Sequence, residues 1–350
     1  MEKTATNLYE IDPINDPRWA ALVEKHPRAS VFHTPKWLTT LQRVYGFKPR
    51  AISTCAPGSQ LSDGLVYCHV NSWLTGRRLV SLPFSDHCDP LVEQPADVDD
   101  FLQYLEQHVD QGRWRNLEIR PVSLEPSSNT KLVRSSAYYF HHVDLSPSLD
   151  ELRRNCHKDG VQRKVRRAER EGLKYEEGRS PELLQKFYRL LVMTRRRHRL
   201  PPQPLEWFRS LIVAFGNDLE IRVVSKDGQE VASILTLSNK KTMVYKYGCS
   251  NPAFHNLGGM PFLLWRTIQE AKEGGFEELD LGRSDSDNQG LVEFKDRLGA
   301  VRRLLNYWSY PHREAEFRAG LKKKLADRFI SVMPNLSLEV VGKLLYKHFG

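Results

Sequence analysis

The chain has 350 residues, 40% of them hydrophobic and 27% charged, which is the size of two ordinary domains and excludes a disordered or fibrous protein. Its five cysteines (Cys55, Cys68, Cys88, Cys156 and Cys249) are scattered without a CxxC pair, which argues against a disulfide framework or zinc ribbon and fits a reducing compartment. The net charge of +9 suits an anionic partner (nucleic acid, a phosphorylated substrate or an anionic membrane surface) without choosing among them.

The opening segment MEKTATNLYEIDP has no apolar core, and no apolar run approaches bilayer length, so a cytoplasmic protein is expected. GLVYCHV and RLVSLPF read as neighbouring strands. The following loop, SLPFSDHCDPLV, places Asp86, His87, Cys88 and Asp89 in a row. Adjacent residues rarely face each other as a nucleophile pair, so a polar loop is expected for Cys88, with Asp86 and His87 as candidate substrate contacts. FLQYLEQHVDQGRWRNLEIRPVS then predicts a helix leaving through Gly112 into the strand WRNLEI.

The segment HHVDLSPSLDEL reads as a domain junction. Ser148 with Glu151 is a capping-box pattern, and Pro147 helps to stop the strand before it. The helix that follows has Leu149, Leu152 and Cys156 on one face, an interruption at Gly160, and a close at Gly172. From Arg153 to Arg170 it carries eight basic and two acidic residues, a cationic face that suits a phosphate-rich partner, with Arg163 and Arg167 as candidate contacts. TRRRHRLPP adds a second basic cluster. Neither has aromatic interleaving, so no sequence-specific DNA binding is expected.

EVASILTL and TMVYKYG, joined through NKK, predict two more strands. NLGGMPFLLW opens a helix whose Gly258 and Gly259 either cradle an anion at the helix N-terminus or relax a tight turn. That helix exits through Gly274 and Gly275 into FEELDL. Aligned on Trp114 and Phe276, Leu117 falls on Leu279, Glu118 on Asp280 and Ile119 on Leu281. Each half therefore reads as strand, strand, helix, strand: a duplicated α+β module. The next stretch, DSDNQGLVEFKD, mimics an EF-hand loop at Asp285, Asp287 and Gly290. A strand rather than a helix leads into it, Gln289 and Asp296 stand at liganding positions, and no second loop pairs with it, so no metal site is expected. From His312, FRAGLKKKLADRF and LSLEVVGKLLYKHF predict two basic amphipathic helices. Such helices either pack on the second domain or touch an anionic inner-membrane face.

Four motifs, FHTPKWL, KDGVQRKVRRAEREGL, YKYGCS and DLGRS…GLVEFKDRLG, in this order over most of residues 30–310, resemble the FemAB family and its acyltransferase relatives of GNAT fold. The long coiled-coil arm of the cell-wall members is lacking, which favours the shorter acyltransferase-like branch. The resemblance implies an α+β (mixed α/β) fold of two tandem GNAT-like domains with mixed central sheets related by a pseudo-twofold repeat. The expected boundaries are 1–145, 146–312 with the Phe-Lys motif, and a helical C-terminal tail at 313–350. It further implies transfer of an acyl or aminoacyl group to an amine of a cell-envelope, peptidoglycan or extracellular-polysaccharide precursor. Acyl-CoA or aminoacyl-tRNA would be the co-substrate, with no tightly bound cofactor.

The family's active-site cation maps onto Lys295, beside Phe294. Without the family, a surface pairing of Lys295 with Asp296 or Glu293 is the plainer reading. Asp280, Arg283 and Ser284 at the strand end are expected to orient substrate, with Tyr247 of the YKYGCS motif. His33, Lys36, Trp37 and Asp86 are expected to line the acceptor cleft, and Gly258 and Gly259 to meet the donor. The tail suggests peripheral inner-membrane contact. The competing class is a non-catalytic nucleic-acid-binding protein that uses the basic helix.

Overall fold

A computed structural model describes residues 7–94, 97–123, 125–311 and 335–348. The chain forms two compact units. The first takes the described residues up to 137, with 305–311 and 344–348; the second takes 138–304 and 335–343.

The first unit begins with β1 (Tyr9–Ile11), α1 (Pro17–Lys25) and α2 (Pro35–Tyr45). The start of α2 is written in FHTPKWL: the Thr34 hydroxyl accepts from the Trp37 amide, and Pro35 occupies the first turn, where its missing N–H costs nothing. Gly46, at φ 71°, ends the helix in the left-handed conformation. Next come β2 (Lys48–Ser53), β3 (Leu65–Ser72), β4 (Gly76–Ser81), α3 (Asp97–Asp110) and β5 (Asn116–Ile119). Strands β3 and β4 are an antiparallel hairpin, and β5 returns parallel to β4 after the α3 crossover. Phe101, Leu102 and Leu105 of α3 pack on Leu79, Leu117 and Ile119. A fully buried side chain such as Phe101 contributes about 1.5–3 kcal/mol.

In the second unit, the C-terminal part of β6 (Val133–Asp144) precedes α4 (Leu149–Asn155) and α5 (Arg163–Arg170), with a π-helical turn at Lys158–Gln162 between the two helices. The capping box predicted at Ser148 and Glu151 is present in full. The interruption at Gly160 takes the form of the π turn. There follow β7 (Lys174–Gly178), α6 (Pro181–Arg197), α7 (Leu205–Phe215), β8 (Leu219–Lys226), β9 (Gln229–Asn239), β10 (Thr242–Ser250), α8 (Gly259–Glu273), β11 (Glu278–Asp285) and α9 (Gln289–Asp296). The strand order is β6-β11-β10-β9-β8-β7. Here too a hairpin, β9–β10, is followed by a helical crossover and a parallel return strand. Leu263, Leu264 and Ile268 of α8 pack with Leu279, Leu281 and Val143.

Finally β12 (Val301–Tyr310) pairs through Trp308–Tyr310 with β5 in the first unit, and α10 (Asn335–Tyr346) follows. The first predicted tail helix falls outside the described residues. Over 344–348 the tail belongs to the first unit: the His348 carbonyl accepts from the Thr75 hydroxyl (2.9 Å) and from Arg78 (3.0 Å). No helix among the described residues is long and apolar enough to cross a membrane.

Candidate active site

The two return strands behave differently. In the first unit, β4 and β5 stay paired from Arg78↔Asn116 to Ser81↔Ile119, the ends of both strands. In the second, the parallel ladder between β10 and β11 stops at Val244↔Asp280. Both strands run on, β10 alongside β9 to Ser250 and β11 alongside β6 to Asp285, and each carries a bulge at this level. The sheet is thus split beyond Val244 and Asp280, where the two parallel strands no longer pair with each other. Bulges increase local twist and re-aim side chains, and they recur beside active sites.

The β11 bulge explains DLGRS…EFK residue by residue. Gly282 has φ 68°, a conformation that a side chain disfavours. The buried Asp280 carboxylate accepts from the Gly282 amide at 2.6 Å. Lys295, only 3% exposed on α9, donates from Nζ to the Gly282 and Arg283 carbonyls at 3.1 and 3.0 Å. An acid and a base thus hold the two backbone groups of one glycine. Lys295 is buried, not on the surface where the sequence also allowed it. Glu293 bonds Arg297 (2.8 Å), while Asp296 lies near His141 (3.3 Å) and Arg302 (3.6 Å).

Opposite the bulge on β6 stands His141, which no sequence argument singled out. It is fully buried, and its ring nitrogens have no well-aligned hydrogen-bond partner among the described residues. By strand alternation it shares a face with Ser284, which is 1% exposed and whose hydroxyl also lacks a partner among those residues. Burial, then the positive charge of Lys295, push the His141 imidazole down to about 4, against the opposing pull of Asp296. At neutral pH it is an uncharged base. The unfolded histidine titrates near 6.5, so between pH 6.5 and 4 only the unfolded chain takes up this proton. The stability in question is complete above pH 6.5 and falls as pH drops, by about 1.4 kcal/mol per pH unit. His141→Gln is expected to flatten the acid limb of urea midpoints measured from pH 7 to 4.5. An unchanged slope would mean that His141 protonates freely in the folded state.

Two of the sequence motifs dock on each other beside this centre. The His157 amide donates to the Arg297 carbonyl (2.8 Å), and the Cys156 thiol meets the Leu298 carbonyl (3.4 Å). Gly160 and Gly299 each leave room for a close approach: a Cβ on Gly160 would stand 2.8 Å from Arg297 Cδ, and one on Gly299 3.2 Å from Asn155 Cβ. The π turn is held by Gln162, which donates to the Arg153 and Cys156 carbonyls, both at 2.8 Å.

The remaining candidates fall in several places. Arg283 lies over the Tyr138 ring (4.4 Å), on the opposite face from Ser284. Phe294 is half-buried against the core. Tyr247 is buried among Phe187 and Phe208, its hydroxyl accepting from the Trp207 indole (2.9 Å). Arg163 pairs with Asp159 (2.8 Å) and Arg167 with Glu171 (3.8 Å) along the basic face. Gly258 and Gly259 are sites of tight packing. A Cβ on Gly258 would stand 2.4 Å from the Lys164 carbonyl oxygen, and one on Gly259 2.7 Å from Val231 Cγ1.

In the first unit Lys36 is exposed, and Trp37 is buried against Phe32. His33 is buried, its Nδ1 accepting from the Ser30 amide (3.0 Å) and its Nε2 2.8 Å from the Asp89 carbonyl oxygen. Cys88 meets this imidazole at 3.3 Å rather than its sequence neighbour His87. Burial drives the thiol up and the His33 ring down to about 4, so the pair is neutral. The Asp86 carbonyl accepts from the Tyr307 hydroxyl (2.6 Å). Glu118, the counterpart of Asp280, is buried and bonded by Arg120, which also donates to the Leu82 and Ser85 carbonyls (2.6 and 3.0 Å).

A hairpin, a helical crossover and a parallel return strand that leaves its ladder together form the core of the second unit. Residues 156–296 match the family model described as an acetyltransferase (GNAT) domain. Among solved structures, FemX aligns with a TM-score of 0.67 at 14% identity, over 90% of this chain and 100% of that one. L-PGS from Bacillus licheniformis aligns at 0.56 with 16% identity, over 90% and 98%. A tandem GNAT protein from the clavulanic acid biosynthesis pathway aligns at 0.53 with 12% identity, over 87% and 98%. No curated protein matches the chain. At these identities the likeness is one of fold. The chain has the tandem GNAT-type fold that the resemblance implied, and its second half matches the GNAT domain model over residues 156–296.

Proposed function

We propose that the chain is an N-acyltransferase that moves an acyl or aminoacyl group to an amine of a cell-envelope, peptidoglycan or extracellular-polysaccharide precursor. The observation that carries this reading is the β10–β11 split with Lys295 and His141 beside it. An extended amide-bearing arm can pair with strand edges that have left their ladder. The amine nitrogen attacks the ester or thioester carbon, a C–N bond forms, and the C–O or C–S bond breaks. The amine loses one proton and the leaving alcohol or thiol takes one, so the step is proton-neutral. His141 lies next to this centre, but a base held near 4 is a weak proton acceptor at neutral pH, so the proton passes from the amine towards the leaving group. The Lys295 charge, in a water-poor setting, favours the oxyanion of the tetrahedral intermediate more than the ground-state carbonyl.

A specific observation favours aminoacyl-tRNA as donor. The Lys164 carbonyl oxygen closes on Gly258, so a pyrophosphate laid on the first turn of α8 would meet another oxygen. The exposed face of α5, with Arg163, Lys164, Arg166 and Arg170, suits a polyanion instead. Transfer assays with labelled aminoacyl-tRNA and labelled acetyl-CoA, with precursor amines as acceptors, decide the matter. Product from aminoacyl-tRNA alone is expected. Product from acetyl-CoA alone would overturn the donor assignment. RNA binding with no transfer to any amine would leave the non-catalytic reading standing.

A further inference from the structure

The first unit carries a surface that its fold does not require. At the tip of the β3–β4 hairpin, Trp73 is 85% exposed. Its turn is not loose. The Ser72 hydroxyl accepts from the Leu74 and Thr75 amides (3.1 and 2.9 Å) and bonds His348 Nδ1 (2.9 Å). The Thr75 hydroxyl and Arg78 are tied to the His348 carbonyl. The polar groups of the tip are thus used internally, while its largest apolar side chain projects into water. The His348 ring meets the indole in a T-shaped contact, 5.4 Å between centroids. One helical turn before His348, Leu344 is 59% exposed.

Cations surround this tip. Arg115 crosses the turn, its Cδ 2.8 Å from where a Cβ on Gly76 would stand. Arg77 lies over the Trp114 ring at 4.7 Å, and Lys347 is exposed beside His348. None of these three forms an ion pair among the described residues, and no acid occurs in residues 64–81 or 111–117. A projecting indole with a cationic rim matches the amphipathic chemistry of a lipid headgroup layer. A single-stranded nucleic acid would instead call for a groove with a row of stacking rings.

From this we infer that the β3–β4 tip docks on an anionic lipid bilayer, with Trp73 entering the headgroup layer and Arg77, Arg115 and Lys347 meeting lipid phosphates. This surface is independent of the acyl-transfer reading and is tested without it. The full chain is sedimented with vesicles of equal parts phosphatidylcholine and phosphatidylglycerol at low salt, and with phosphatidylcholine alone. Binding to the anionic vesicles, weakened by salt, is expected. Trp73→Ala should weaken it about tenfold or more, because most of a large apolar side chain is lost. Arg115→Glu and Lys347→Glu should each weaken it at least about fivefold. Since Trp73 is exposed, its variant should melt like the parent, so lost binding is not lost folding. Equal binding by the Trp73 variant, no binding to anionic vesicles, or displacement of the vesicles by an RNA oligomer that itself needs Trp73 would each overturn the inference.

Discussion

Lys295→Met is expected to lower acyl transfer by a factor of about 100 to 1,000, the usual loss when a donor aimed at an oxyanion is removed. It should also weaken the fold, because the Gly282 and Arg283 carbonyls lose their donor inside the protein. Each buried acceptor left unsatisfied costs about 1–3 kcal/mol. The two effects separate with Lys295→Arg, which keeps the charge but not the point-like geometry of the ammonium. If the charge acts on the reaction, single-turnover rates should recover partly in the arginine variant while urea midpoints stay low. If the lysine only braces the bulge, rates and midpoints should fall and recover together. Full activity in a well-folded methionine variant would remove Lys295 from both roles.

The largest stability effect is expected in the other unit. Arg120→Ala removes the guanidinium that bonds the buried Glu118 and takes a donor from the Ser85 carbonyl and from the Leu82 carbonyl, which keeps the Ser85 hydroxyl. Breaking a buried pair from one side costs about 3–5 kcal/mol, since the surviving charge stays desolvated. Urea denaturation should show that loss. A double variant, Glu118→Gln with Arg120→Met, should be milder, because no buried charge remains. A loss below about 1 kcal/mol for the single change would mean that water reaches Glu118 once the arginine is gone.

Much of this architecture was legible because it is local or repeated. The apolar spacing of FLQYL and FLLWR, the exits through Gly112 and Gly274, and the alternation in NLEI and ELDL are properties of short windows, and both helix-to-strand crossovers follow them. The Ser148–Glu151 box likewise depends on four consecutive residues. The alignment of Glu118 with Asp280 was also legible, and both prove to be buried acids bonded to a group two residues downstream.

What escaped is information about pairing. His141 becomes notable only through its position opposite the β11 bulge, and that register joins residues far apart in the chain. The partner of Cys88 is His33, 55 positions away, so inspecting adjacent residues could not find it. Of the two readings of Gly258, the turn is present, at φ 79°, but neither reading gave the carbonyl from α5 that approaches the same glycine. Close approach between distant backbones leaves no trace beyond the glycine itself.

The split between β10 and β11 has one further consequence. A gap that narrows to a closed apex is a blind alley, not a passage. Between Thr242↔Glu278 and Val244↔Asp280 the two strands satisfy each other, so a segment that pairs with the edges beyond can extend no further in this direction. The traffic is then set by reach: a reactive group at the end of a slender arm arrives at the apex, while one in the middle of a chain stays outside.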